Sequence, residues 1–364
     1  MTILALETSC DETACAIVED GWKVHANVIS SSLNLHQITG GVVPEIAARA
    51  QIESIIPVIQ QAMGGDRPVG TGRDAINRVS TVRPSMADTI DAIAVTAEPG
   101  LVTSLLVGTE TAKWLGYLWN KPVIKVNHIR GHVYANWLER DPQKDPIQFP
   151  VVCLSVSGGH NELICLKNHQ EWEIIGESQD DAAGEAFDKV ARILGLGYPG
   201  GPVIEQHAKL FTQMFMNMES NKIVRFPRAW LNKNDSNKWD GTSFHFSFSG
   251  LKSEVIREVQ RRSTAEVTSR DLSLSDVDRA EIAYAFQDAV VDVLVTKLVG
   301  AAKKFQAKEI HIAGGVSANQ FFRMRLEESS KTLGVKIRWP EKMIYCTDNA
   351  AMIGAAAYYR QNPL

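Results

Sequence analysis

The sequence predicts a duplicated two-lobe α/β fold, and three observations lead to this prediction. The 364 residues are enough for two domains of about 150 residues each. Two segments, Ile3–Val18 and Val151–Leu166, share one layout of an apolar strand, a small polar turn and a second apolar strand, which predicts a β-hairpin in each. A third segment, Glu309–Asn319, predicts a strand that reaches a glycine pair and is followed by a helix. Spacing alone also allows two ordinary hairpins within one mixed sheet.

Three long helices are predicted between these strands. Apolar residues recur close to the helical period in Pro44–Met63, and Leu105–Trp119 and Asp278–Phe305 show the same pattern. Residues Gly64–Ala87 are instead rich in Gly, Pro, Arg and Ser, which indicates a surface loop or an insertion.

The composition excludes several classes of protein. An apolar fraction of 45% with 22% charged residues excludes a mainly disordered chain. A net charge of −4 means that any nucleic-acid contact requires a local basic face. The five cysteines form no CxxC pair, so a disulfide framework or a zinc ribbon is not expected. With no targeting signal and no apolar run near about 18 residues, we expect a cytoplasmic protein without a membrane span.

A metal site is the first candidate for chemistry. His128 and His132 lie four residues apart, so on a helix their imidazoles share one face and can bind one cation. Asp348, at a predicted helix N-terminus, is the best candidate for a third ligand, and such a set suits Fe(II) and, nearly as well, Zn. Two hydrogen-bonded histidines and a capping Asp348 are the alternative. No Glu follows His128, so a zincin-type protease would lack its general base.

Three further segments are candidates for nucleotide binding. In Ser157–His160, glycines allow close approach of a ligand and successive N–H groups can cradle phosphate oxygens. In Asp180–Pro202, a predicted helix precedes a PGGP loop, and Asp188 can accept ribose hydroxyls. Gly314–Asn319 can hold a nucleoside by close backbone approach together with the Asn319 amide. Ordinary turns, a solvated helix face and an Asn cap are the alternatives for these segments.

A basic stretch with interleaved aromatics covers Lys222–Arg262. It contains nine basic and four acidic residues together with Trp230, Trp239, Phe244, Phe246 and Phe248. Such a combination favours a nucleic-acid backbone and unstacked bases. The alternative is a charged face beside core aromatics.

The order of these signals along the chain resembles the TsaD family of tRNA N6-adenosine threonylcarbamoyltransferases. The resemblance covers nearly the whole chain and is carried by nine blocks: ALETSCDETACAIV, GGVVPEIAARA, PGLVTSLLVG, NHIRGH, VSGGH, DDAAGEAFDKVARILGLGYPGGP, FSFSGLK, GGVSAN and CTDNAAMIG. It implies an ASKHA fold, with actin-like or sugar-kinase-like lobes around a central cleft. It also implies transfer of threonylcarbamoyl from threonylcarbamoyl-AMP to N6 of the adenosine at position 37 in tRNAs that read ANN codons.

The resemblance implies specific site residues and partners. His128, His132 and Asp348 match the ligands of one divalent metal per subunit, with Fe²⁺ the usual assignment and Zn²⁺ the alternative. The partners implied are tRNA, TsaB-like and TsaE-like proteins, and a dimer is left open. The substrate-binding positions that carry over are Ser155, Val156, Ser157, Gly158, Gly159, Asp188, Gly201, Glu205 and Asn319.

Our own hypothesis adds Asp11 or Glu12, at the first hairpin tip, as a catalytic base or positioning group. The predicted lobes are residues 1–126 with 347–364, and residues 127–346, which carry the metal and nucleotide motifs. Relatives usually have Glu at Arg130 and His at Gln51, so this chain departs from the family there. Three alternatives are a metal-dependent glycoprotein endopeptidase, an ASKHA-type ATPase or kinase, and a non-catalytic scaffold.

Overall fold

The computed structural model describes residues 1–39, 42–64, 87–214, 223–229, 231, 243–263 and 274–361. Within these ranges the chain forms two compact units, residues 1–147 with 339–364 and residues 148–338. Apart from its two end residues, the predicted insertion Gly64–Ala87 lies outside the described residues.

The first unit is built on a five-stranded sheet. Its strands are β1 (Thr2–Glu7), β2 (Glu12–Glu19), β3 (Lys23–Ser31), β4 (Ala92–Glu98) and β5 (Val123–Asn127), in the spatial order β3-β2-β1-β4-β5. β1 pairs antiparallel with β2 and parallel with β4, so the predicted first hairpin is present. The apolar run of β1 is fully buried, as expected for a central strand covered on both faces.

In the described part of this unit, five α-helices accompany the sheet: α1 (Leu33–Thr39), α2 (Pro44–Ala62), α3 (Val102–Trp119), α4 (His128–Tyr134) and, near the C-terminus, α10 (Ala350–Gln361). The predicted helices at 44–63 and 105–119 are thus confirmed. α2 and α3 contact each other and the sheet, where Ile55 and Ile59 join Leu4, Leu6 and Ile93 in one buried cluster. α10 packs on β1, β2 and α4.

The second unit repeats the same sheet topology. Its strands are β6 (Val151–Val156), β7 (Asn161–Leu166), β8 (Trp172–Glu177), β9 (Glu309–Ala313) and β10 (Lys336–Arg338), in the order β10-β9-β6-β7-β8. Its helices are α5 (Ala183–Ile193), α6 (Gly200–Met214), α7 (Ser249–Arg262), α8 (Asp276–Lys304) and α9 (Gln320–Ser330). Two separate sheets of equal order confirm the predicted duplication, and the alternative of one mixed sheet is wrong.

The division of the chain differs from the predicted lobes. The first unit continues to residue 147 and resumes at 339, so His128 and His132 belong to it and not to the second lobe. The physical reason is that α4 follows β5 directly and packs against α10. The PGGP segment also differs from the prediction, because Gly200 begins α6 instead of lying in a loop.

The aromatic residues of the basic stretch lie in the core. Phe244, Phe246 and Phe248 are at most 2% exposed, which supports the alternative of core aromatics over stacked bases. Several cations of this stretch pair with the chain's own carboxylates, for example Arg228 with Asp288 and Asp292. Trp230 and Trp239 lie outside the described residues. No helix of the described ranges combines the length and the apolarity that crossing a membrane requires.

Candidate metal centre and nucleotide loops

The three predicted metal ligands come together in the first unit. One ligand atom each from His128, His132 and Asp348 lies within 4.8 Å of the others. Asp348 Oδ1 is 3.5 Å from His128 Nε2 and 3.2 Å from His132 Nε2. The two rings stand edge to face, with centroids 4.6 Å apart, as four-residue spacing on α4 predicts.

Two asparagines fix the ends of the helices that carry these ligands. Asn127 caps α4, because its Oδ1 accepts a hydrogen bond of 3.1 Å from Arg130 N. Asn349 Oδ1 accepts from Met352 N at 3.1 Å in the first turn of α10. Asn349 therefore performs the capping that the sequence also allowed for Asp348, and the Asp348 carboxylate faces the histidines.

The chemistry of this cluster fits a divalent cation. His132 is fully buried, and neither ring nitrogen makes a hydrogen bond, although its Nε2 lies near Asp348. Burial would lower the pKa of His128, but the charges of Asp348 and Glu7 outweigh it and raise this pKa to about 9. Two imidazoles and a carboxylate that attract positive charge are suitable ligands for Fe(II) or Zn(II). The alternative of two hydrogen-bonded core histidines does not account for His132.

The first hairpin tip is held next to this cluster. Burial raises the pKa of Glu12 to about 8, and the charges of Asp11 and Asp348 add to this. Glu12 Oε1 accepts a hydrogen bond of 2.9 Å from Ser31 Oγ, and the Asp11 carbonyl accepts one of 2.8 Å from Ser32 Oγ. At the hairpin tip, the backbone of Asp11 and the side chain of Glu12, the first residue of β2, are therefore each held by a serine that follows β3 or ends it.

Neither Ile129 nor Arg130, which follow His128, supplies the general base that a zincin-type protease needs. Burial lowers the pKa of its guanidinium, and the like charge of Arg360 on α10 adds to this effect, while Tyr134 opposes it. The position after His128 carries Ile129, which is buried and has no acid–base chemistry.

The second hairpin tip forms a tight turn in the second unit. Ser157 N donates to the His160 carbonyl at 2.8 Å. A Cβ placed on Gly158 or Gly159 would meet no atom within 4 Å, so the fold itself does not require glycine there. Ser155 is buried in β6, and its Oγ makes no hydrogen bond within the part of the chain described.

The other predicted substrate residues also lie in the second unit. Asp188 Oδ1 accepts a hydrogen bond of 2.7 Å from Gly200 N and so connects α5 with the start of α6. Glu205 Oε1 accepts one of 2.6 Å from Gln320 N at the start of α9. Gly201, in the first turn of α6, has open space where a Cβ would stand.

Asn319 has the capping role that the sequence allowed. Its Oδ1 accepts from Phe322 N at 2.8 Å, which begins α9, and its Nδ2 donates to Gln287 Oε1 at 2.8 Å. Both polar groups of the Asn319 side chain therefore make hydrogen bonds within the protein. Two residues earlier, Ser317 Oγ is buried and makes no hydrogen bond among the described residues.

Glu7 and Gln287 are polar residues of these sites that the sequence analysis missed. Glu7 contacts His128, and Gln287 contacts Asn319. A carboxylate at the end of the apolar run ILALE, and an amide within the apolar α8, are the signals that could have revealed them.

Comparison with known proteins shows the family of this chain. The family model described as "TsaD: tRNA N6-adenosine threonylcarbamoyltransferase" matches residues 23–66 and 74–355. The chain belongs to the TsaD family. A TsaD relative named tRNA N6-adenosine threonylcarbamoyltransferase, from Thermomicrobium roseum, is 46% identical over 99% of this chain and 92% of its own length. A relative of the same name from Moorella thermoacetica is 45% identical, over 98% and 91%.

Solved structures of other proteins share this fold at low sequence identity. HypF from T. kodakarensis matches with a TM-score of 0.57 at 11% identity, over 99% of this chain and 48% of that chain. A full-length HypF in a phosphate- and nucleotide-bound form matches with a TM-score of 0.54 at 13% identity, over 99% and 46%. These likenesses concern the fold alone, and they agree with the duplicated α/β architecture of ASKHA type.

Proposed function

We propose that this chain transfers the threonylcarbamoyl group from threonylcarbamoyl-AMP to N6 of the adenosine at position 37 in tRNAs that read ANN codons. Membership of the TsaD family supports the reaction, and two relatives above 40% identity carry the name of this transferase. The observation that carries the proposal is the cluster of the buried His128 and His132 with the half-buried Asp348, because His132 lacks a hydrogen-bond partner that would explain it as a core residue. A tRNA substrate and five cysteines outside disulfides agree with a cytoplasmic location.

The electrophile of this reaction is the carbamoyl carbon of a mixed anhydride, and AMP is its leaving group. One divalent metal, Fe²⁺ in preference to Zn²⁺, would be held by the three ligands and would supply Lewis-acid polarisation of a carbonyl or phosphate oxygen. The adenine amine is a poor nucleophile, so the protein must orient it and accept its proton.

Residues of the second unit are proposed to bind the adenylate. The N–H groups of Gly158 and Gly159 can bind its phosphate or carbonyl oxygens, whereas the Ser157 N–H is used within the turn. The open space at Gly158, Gly159 and Gly201 permits close approach. Asp188 has a second carboxylate oxygen for a ribose hydroxyl. The proposed set is Ser155, Val156, Ser157, Gly158, Gly159, Asp188, Gly201, Glu205 and Asn319.

Asp11 or Glu12 is proposed as the group that accepts the amine proton or positions the amine. The nearness of the hairpin tip to the candidate metal ligands supports this role: Ser9 Oγ lies 3.2 Å from His128 Nδ1, and the charge of Asp348 contributes to the raised pKa of Glu12. Single-turnover transfer with Asp11→Ala and Glu12→Gln tests it. We expect at least one variant to lose most of the transfer rate while keeping its affinity for threonylcarbamoyl-AMP, and normal rates in both would remove the role.

Exposed apolar residues of the first unit support the proposal that it binds a protein partner. Tyr117 is 79% exposed and Trp114 is 64% exposed, and such aromatic patches commonly mark interfaces. Helices α2 and α3, which contact each other, contribute this face through Ile52, Ile56, Val102, Leu106, Trp114, Tyr117 and Leu118. We propose a TsaB-like protein as its occupant and a TsaE-like protein as a further partner of the complex.

Size-exclusion chromatography with the TsaB-like protein tests this face. We expect Tyr117→Ser to weaken the complex, whereas Met324→Ser, an exposed apolar residue of the second unit, should not. A homodimer that Tyr117→Ser dissociates would instead assign the face to a second copy of the chain.

The transfer reaction is tested with purified protein, its partners, labelled threonine, bicarbonate, ATP and an ANN-decoding tRNA. We expect label on the tRNA with the wild type and little with His132→Ala. Label that stays off the tRNA here, but appears with a close relative, would contradict the proposal. Chelator-sensitive digestion of a glycoprotein, or rapid ATP turnover with a sugar, would support the endopeptidase or the kinase.

A further inference from the structure

Glu7 is a buried carboxylate at the end of the central strand of the first unit. It is 1% exposed, and a buried charge requires partners to be stable. Its Oε1 accepts a hydrogen bond of 2.5 Å from Ser9 N, and its Oε2 accepts one from Thr96 Oγ1 on β4. These two donors fix the plane of the carboxylate.

The same carboxylate faces one nitrogen of His128. Glu7 Oε2 lies 3.2 Å from His128 Nδ1, and Ser9 Oγ lies 3.2 Å from the same nitrogen. The other nitrogen, Nε2, points to Asp348. The two sides of this ring therefore have different neighbours, which is the arrangement commonly found around metal-ligating histidines.

We propose that Glu7 is a positioning residue of the metal centre, whose carboxylate accepts the Nδ1–H of His128 and so directs the Nε2 lone pair to the ion. An ionised carboxylate can only accept, so it requires Nδ1 to carry the proton, whereas the Ser9 hydroxyl can either donate or accept. His132 lacks an equivalent neighbour, since its Nδ1 makes no hydrogen bond within the described chain. Glu7 thus orients one of the two imidazoles.

Zinc affinity of the full chain, measured by competition with a chromophoric chelator, tests this role. Glu7→Gln keeps the size of the side chain but removes its charge, and we expect zinc to bind about 10- to 100-fold more weakly. The matched control is Glu19→Gln, whose carboxylate lies 2.8 Å from the exposed His25, and its affinity should equal that of the wild type. Urea unfolding of each metal-free variant verifies that it is folded.

A proton NMR spectrum of the zinc-loaded protein distinguishes a specific change at His128 from a general loss of folded structure. We expect a downfield imidazole N–H resonance from His128 Nδ1 in the wild type, and its upfield shift or loss in Glu7→Gln. If Glu7→Gln does not fold, Thr96→Val, which removes a donor from Glu7 Oε2, should weaken zinc binding by a smaller factor.

The outcomes separate this inference from the proposed metal centre on which it rests. Wild-type protein that binds no zinc or iron would overturn both. Wild-type protein that binds zinc, with equal affinity and an unchanged His128 resonance in Glu7→Gln, would overturn the role of Glu7 alone.

Discussion

Gln51 on α2 is the residue that anchors the first hairpin tip. It is fully buried, and its Nε2 lies 3.3, 3.0 and 3.1 Å from the carbonyl oxygens of Thr8, Cys10 and Glu12. A histidine at this position, with one ring N–H, would serve fewer of these acceptors. Gln51→Leu removes the side-chain donor that these three carbonyls share, so we expect a loss of about 1–3 kcal/mol in the free energy of unfolding.

Urea unfolding measures this loss, and the transfer assay shows whether the tip still functions. Gln51→His should lie between wild type and Gln51→Leu in stability. Gln170→Leu, at an exposed position of the second unit, is the control and should change stability little. Equal stability of Gln51→Leu and the control would show that the three contacts are weak.

Residue types and spacing could predict the candidate metal ligands but not the residues that contact them. The four-residue spacing of His128 and His132 predicts a shared helix face, and the motif order points to Asp348. The run ILALE marks Glu7 as a carboxylate at the end of a buried strand, but its contacts could not be predicted, because they depend on the parallel pairing of β1 with β4, which brings Thr96 to its carboxylate. Long-range pairing of this kind has no local signature in the sequence.

At the scale of the element, Glu309 at the start of β9 holds both ends of the second unit. Its carboxylate accepts hydrogen bonds from Gln148 N at 3.0 Å and from Arg338 Nε at 2.5 Å, and His311 Nε2 lies 3.0 Å away. Burial would raise the pKa of Glu309, but the hydrogen bonds from His311 and Arg338 outweigh it and lower this pKa to about 2. Glu309 therefore stabilises the folded state most when it is ionised.

The sign of this pH dependence follows from the lowered pKa. The stabilisation is complete above the unfolded value of about 4.5 and is lost as the pH falls towards 2. Removal of one partner from a buried ion pair costs about 3–5 kcal/mol, so we expect Glu309→Gln to reduce the free energy of unfolding by this amount at pH 7. Urea titrations between pH 7 and pH 3 measure the difference, which should shrink in acid. The exposed Glu173→Gln on β8 is the control, and a difference independent of pH would contradict the prediction.

The residue patterns of strands and helices predict the secondary-structure elements well, but they do not predict how these elements group into two units. The hairpins and the three long helices follow from local periodicity, so they could be predicted from the sequence. The unit boundary depends on the packing of α4 against α10, two elements far apart in the chain. Local patterns contain no information about that contact, so the sequence groups His128 and His132 with the second lobe, whereas the contacts group them with the first unit.

At the scale of the whole molecule, a bound metal should stabilise one unit selectively. All three candidate ligands belong to the first unit, and an ion bound by them would join α4 to the segment that precedes α10. A ligand present at 100 times its dissociation constant adds about 2.7 kcal/mol to the stability of the state that binds it. We expect chelation to lower the melting temperature, and hydrogen exchange to show lost protection in β5, α4 and α10, whereas residues 148–338 keep theirs. Asp348→Asn should abolish the effect of the chelator, and the exposed Asp88→Asn should retain it. Protection lost equally in both units, or an unchanged chelator response in Asp348→Asn, would mean that the ion stabilises the chain from another site.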